Sequence, residues 1–219
     1  MGSTKTSTSP VKGTSRRSGL WFVVAAGVIA AVVGLFLIYQ GSVNPKPTNA
    51  EAASTVYDVG SPGPGEAAPD FALPSTDGST VNLSDYSGES TLLYFHEGLG
   101  CQPCWDQIRD LEMAPSVLQK AGIDSLVTIT SGPVDLIAQK MADDGLESVA
   151  LADTDLDVSR RYEANKYGMM GDSRNGHTFI LVGPDGTIQW RADYGGTPNY
   201  TMYVPVQQLM KDLEAGRVS

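Results

Sequence analysis

The sequence predicts an α/β domain with a central mixed sheet flanked by helices, preceded by one membrane-spanning helix. Three observations carry this reading. An uncharged run of twenty residues lies near the N-terminus, strand and helix patterns alternate from Thr91 to Ala152, and two later strand runs bracket a Pro-Asp-Gly turn. Alternation predicts parallel strands at the centre of the sheet, and the late hairpin adds an antiparallel edge.

Residues 1–19 are rich in Ser, Thr, Gly and basic side chains and read as a solvated tail. From Leu20 to Tyr39 the chain reads LWFVVAAGVIAAVVGLFLIY without a charge. Twenty helical residues span about 30 Å, the thickness of a bilayer's hydrocarbon core. Lys5, Lys12, Arg16 and Arg17 precede this run, so the positive-inside rule places the tail in the cytoplasm and everything after Tyr39 outside it. A cleaved signal peptide is the competing reading, with Ala50 and Ala52 as an A-x-A site, but its apolar stretch is typically about 7–15 residues. An uncleaved anchor in the cell membrane is therefore expected. Residues 40–65 hold Pro45, Pro47, Pro62 and Pro64 without sustained apolar periodicity, which suits a tether, and the compact domain is expected over 66–219.

Within that domain, Phe71–Leu73 and Val81–Leu83 flank Asp77-Gly78 and read as a hairpin, with Ser84-Asp85 capping a brief helical turn. Thr91–Phe95 is a buried-strand run. A helix through Ile108 and Leu111 follows, with Pro103 in its first turn. Ser125–Thr130 reads as a strand, Val134–Met141 as a helix, Val149–Ala152 as a short strand and Asp157–Ala164 as a helix. Thr178–Val182 and Ile188–Tyr194 surround Pro184-Asp185-Gly186, and a last helix is expected over Val204–Glu214.

Charge narrows the function classes. The net charge is −10, and setting aside the four basic residues before Ser18 leaves −14 on the rest of the chain. Such a domain repels phosphate backbones, so no nucleic-acid partner is expected. The two cysteines sit as Cys101-Gln102-Pro103-Cys104. A bridge closing so short a loop constrains the unfolded chain little, so chemistry explains the pair better than stapling does. A thiol at a helix N-terminus is stabilised as thiolate by orphan N–H groups and the helix dipole. Cys101 holds that position, and Cys104 one turn on is placed to resolve a mixed disulfide. Zinc would need two further ligands, and the exchange chemistry needs no cofactor.

The run Gly65-Glu66-Ala67-Ala68-Pro69-Asp70-Phe71, then Asp77-Gly78, Val81, Leu83-Ser84 and Tyr86, resembles the opening segment shared by AhpC/TSA peroxiredoxins and TlpA/ResA-like thiol-disulfide oxidoreductases. C-x-x-C after an apolar strand and the later Gly-Pro-Asp-Gly continue the likeness over about residues 60–215. The resemblance implies a thioredoxin-like fold, with Cys101 attacking and Cys104 resolving. Tethering suits the TlpA/ResA side, whose partners would be extracytoplasmic protein thiols or disulfides. A peroxiredoxin-like thiol peroxidase is the alternative.

Three departures stand out. Gly100 replaces the Trp that commonly precedes the first cysteine, and Trp105 follows the second. The peroxiredoxin pattern P-x-x-x-T-x-x-C, laid on Cys104, meets Glu97 at Pro and Cys101 at Thr. Gly176, His177 and Thr178 stand where a cis-proline loop is expected. His96 and Glu97 precede the motif on opposite faces, and Glu97 is the better candidate to move the proton of the buried thiol. A further alternative is a copper chaperone similar to the SCO proteins, with Cys101, Cys104 and His177 as Cu(I) ligands. Those proteins space their cysteines C-x-x-x-C. Met169, Met170 and Met202 fit core filling better than ligation. The aromatic stretches Tyr194-Gly195-Gly196 and Tyr200-Thr201-Met202-Tyr203 suit either a partner groove or packing.

Overall fold

A computed structural model describes residues 57–218, together with the isolated positions Gly27 and Val33. The expected tail, the span at 20–39 apart from those two positions, and the linker up to residue 56 lie outside the described residues. Among the described residues no helix is long and apolar enough to cross a membrane.

Strands β1 (Ala72–Pro74) and β2 (Thr80–Asn82) form the first hairpin, with Leu73 opposite Val81. The 3-10 turn Leu83–Tyr86 follows. Its cap lies earlier than the expected Ser84-Asp85, because the Asp85 carboxylate reaches back to the Asn82 N–H at 2.8 Å. Next come β3 (Thr91–His96), α1 (Gln102–Glu112), α2 (Pro115–Lys120), β4 (Ser125–Thr130), α3 (Val134–Asp144) and β5 (Val149–Ala152). Then follow α4 (Asp157–Arg161), β6 (Thr178–Val182), β7 (Ile188–Asp193) and α5 (Val206–Gly216). The main sheet has the order β5-β4-β3-β6-β7. β3, β4 and β5 are parallel, while β6 runs antiparallel to both of its neighbours, β3 and β7. This is the mixed α/β architecture that the alternation predicts.

Strand alternation divides the core between the two faces of the sheet. Leu92, Tyr94, Phe179, Leu181 and Trp190 pack with α1, α3 and α5, through Trp105, Ile108, Ile137, Leu209 and Leu213. Leu93, Phe95, Val127, Ile129 and Ile180 pack on the other face against Phe71, Leu73, Val158 and Tyr162. Both cysteines belong to the first face.

Several elements depart from expectation. Helix α2 is an addition, restarted by Pro115 in its first turn. The helix expected over Asp157–Ala164 breaks after Arg161, and Glu163 takes a positive φ of 51° before the 3-10 turn Ala164–Lys166. Helix α5 starts at Val206 rather than Val204, because Pro205 is its extended N-cap and the residue before a proline is steered out of helical geometry. The described end of the expected tether, 57–65, is bound to the domain. Asp58 exchanges backbone bonds with Asp193 at 2.9 and 3.0 Å, and Gly65 N–H reaches Ile188 O at 2.8 Å. The domain therefore begins before Glu66, its arm running along the outer edge of β7.

Candidate active site

The site is built at the end of β3, where an apolar strand hands over to a helix. Gly98 turns the chain with φ +84°, and a Cβ there would lie 2.4 Å from Thr130 Oγ1, so only glycine passes. The Gly98 carbonyl then accepts two donors, Cys101 N–H at 2.9 Å and Trp105 Nε1–H at 3.1 Å. These bonds fix the loop over the first turn of α1. Cys101 is the N-cap of α1, and its sulfur accepts the Cys104 N–H at 3.3 Å. The two cysteines are joined as a disulfide, with Cα atoms 5.3 Å apart. Cys101 retains 4% exposure and Cys104 none. A thiolate at Cys101 would meet the Cys104 N–H and the positive end of the helix dipole, the stabilisation expected of an attacking thiol.

Glu97 is buried on the other side of the strand end. Its Oε1 accepts the Met169 N–H at 2.6 Å, and its backbone carbonyl accepts Arg174 Nη1 at 3.4 Å. Arg174 also lies beside the motif, since a Cβ on Gly100 would stand 3.4 Å from Nη1. Nothing local marks Arg174 for this position, 77 residues from Glu97.

His96 and His177, the only two histidines of the chain, meet across the sheet. The β3–β6 register places Tyr94 opposite Phe179 and Phe95 opposite Thr178, so the next pair is His96 with His177. Both are fully buried. His96 lies edge-on to Trp105 and stacks on Tyr94, while His177 meets Tyr94 edge-on. Burial lowers each imidazole to about 3, helped at His177 by neighbouring His96. His96 Nδ1 accepts the Gly98 N–H at 3.3 Å, which leaves its proton on Nε2.

His177 is buried against Tyr94, Phe179 and Tyr194. Among the described residues, no group of three or more His, Cys, Asp or Glu side chains is placed to hold a metal ion, and the two sulfurs are bonded to each other. Met202 is core, whereas Met169 and Met170 are exposed. Tyr194 is buried with its hydroxyl on Asp212 at 2.8 Å, Tyr203 bonds Asp110, and Tyr200 is exposed. Cis peptides among the described residues occur at Ser61–Pro62 and Thr197–Pro198, so the loop before β6 has none.

A disulfide pair at the start of a helix that follows the central strand of such a sheet defines a thiol-dependent redox enzyme of the thioredoxin-like superfamily. The family model described as AhpC/TSA matches residues 64–191, more than half of the 219. The chain belongs to the AhpC/TSA family. It is 32% identical over 141 residues to peroxiredoxin Bcp of Escherichia coli K12, covering 62% of this chain and 88% of that protein. Among solved structures, peroxidoxin BcpB from Mycobacterium tuberculosis superposes with a TM-score of 0.58 at 16% identity, over 71% of this chain and 99% of that one. A Chlorobium tepidum protein assigned as thiol:disulfide interchange protein DsbE superposes with a TM-score of 0.53 at 21% identity, over 72% and 98%. At these identities the structures speak for the fold alone.

Proposed function

We propose that the chain is a membrane-anchored, extracytoplasmic thiol-disulfide oxidoreductase that exchanges disulfides with protein partners. One observation carries this reading: Cys101 caps α1 with its sulfur on the Cys104 amide, already paired with the one thiol able to resolve it. When the pair is reduced, the Cys101 thiolate attacks a substrate disulfide. A bond forms between Cys101 Sγ and one substrate sulfur, and the second substrate sulfur leaves as thiolate. Cys104 then attacks Cys101 Sγ, releasing the first sulfur and restoring the enzyme disulfide. The reverse sequence oxidises a substrate dithiol, with the direction set by the partner's potential. Anchoring rests on the apolar run Leu20–Tyr39 and the basic residues before it.

A thiol peroxidase is the second reading, favoured by the likeness to peroxiredoxin Bcp. In that reaction Cys104 thiolate attacks a peroxide oxygen, the O–O bond breaks to release water or an alcohol, and Cys101 condenses with the sulfenic acid to release a second water. The Pro and Thr of the peroxiredoxin pattern are replaced here by Glu97 and Cys101. The two readings divide on single-cysteine variants. Cys104→Ser is expected to accumulate mixed disulfides with protein partners, and Cys101→Ser to form none. If Cys101→Ser instead consumes peroxide rapidly in a single turnover and Cys104→Ser traps nothing, the oxidoreductase assignment is wrong.

A further inference from the structure

Glu97 occupies the place where the sequence suggests a proton carrier, yet its carboxylate is already engaged by the backbone of a segment 72 residues away. We infer that Glu97 is a positioning residue that holds the segment 168–174 against the cysteine loop, and that Met169, Met170 and Leu99 there grip the polypeptide flanking the substrate cysteine. This rests on the oxidoreductase reading and names its substrate class: chain segments with apolar side chains beside the reacting sulfur.

Both ends of the segment are tied to the residues just before Cys101. At one end Met169 N–H bonds Glu97 Oε1 at 2.6 Å. At the other, Arg174 reaches the Glu97 carbonyl and flanks Gly100. The fit is close as well as bonded. A Cβ at Gly168 would stand 2.9 Å from Glu97 Oε1 and 2.8 Å from Gly176 Cα, so the segment lies on the carboxylate with no room to spare. Held this way, the segment presents Met169 at 56% exposure and Met170 at 54%, with Leu99 of the cysteine loop at 37%. Exposed apolar side chains on a segment tied to the residues just before Cys101 are out of character for a domain of such negative charge. Methionines adapt to varied apolar partners, which suits an enzyme meeting different protein segments. A small disulfide has no flanking chain for this surface to hold.

The test compares two probes on the full chain. One is a short peptide with leucine and valine flanking its cysteine, presented as a mixed disulfide with glutathione, and the other is oxidised glutathione. Glu97→Ala removes the acceptor, and the preference for the peptide, taken as the ratio of kcat/KM values, should fall about tenfold, mainly through KM. Glu97→Gln keeps an amide oxygen for the Met169 N–H and should restore the parent preference. A proton carrier behaves differently: Gln would then be as damaging as Ala, on both probes and with an altered pH profile. Should Glu97→Ala misfold, the exposed pair Met169→Ser with Met170→Ser tests the surface directly and should give the same loss of preference. Unchanged preference in both the Ala and the double Ser variants overturns the inference while leaving the exchange reaction standing. A parent enzyme that exchanges with neither probe overturns both.

Discussion

Replacing Arg191 by methionine removes the cation of a fully buried pair and leaves the anion behind. Arg191 donates from Nε to Asp193 Oδ2 at 2.8 Å and from Nη2 to Oδ1 at 3.0 Å, and neither side chain has any exposure. Methionine refills much of the stem's volume and returns neither bond. Asp193 keeps Gly60 N–H and the Thr178 hydroxyl, each at 2.7 Å. Breaking a buried pair from one side costs about 3–5 kcal/mol, and the two remaining donors place the loss near the lower end, about 3 kcal/mol. That is a large share of a domain stability of about 5–15 kcal/mol. The arm also loses a tie, since Arg191 Nη1 donates to Pro62 O at 3.1 Å. Adding Asp193→Asn removes the stranded charge and keeps a carbonyl acceptor, so the double variant should recover about 1–2 kcal/mol of that loss. Urea unfolding followed by the buried Trp105 and Trp190 measures both, provided the m-value is shared. A single variant within about 1 kcal/mol of the parent, or a double variant no better than the single, would refute the account of this pair.

Acid sensitivity should report on the histidine pair. Both imidazoles are lowered from 6.5 to about 3 by burial, so the unfolded chain takes up their protons first, and their contribution to stability is lost as pH falls from about 6.5 towards 3. His177→Leu should therefore flatten the decline in urea midpoint between pH 7 and pH 4; an unchanged slope would contradict burial as neutral imidazole. Gly176→Ala should be severely destabilising, because its Cβ would fall 1.6 Å from the Tyr167 carbonyl oxygen and the backbones there cannot part cheaply. Thermal unfolding checks this, and a melting temperature within a few degrees of the parent's would show that the close approach is not real.

The features legible in the sequence by itself are the local ones. Thr91–Phe95 announces a buried strand through its composition, Pro103 suits a first helical turn, and Cys101 with Cys104 at the joint implies exchange chemistry before any contact is known. The uncharged run Leu20–Tyr39 likewise supports an anchor from length alone, and that remains a proposal. Tertiary structure decided what depends on register and packing between distant segments. Arg191 and Asp193 lie on the edge strand β7, and the arm at 57–65 covers that edge and buries them together. His96 and His177 become neighbours only when β3 and β6 pair in one register. Glu97 looks in sequence like a free carboxylate near a thiol, and the fold gives it the Met169 amide instead. Hydrophobic periodicity reports which face of an element is inward, but not which residue of another element will lie against it, because that is settled by the joint packing of the whole domain.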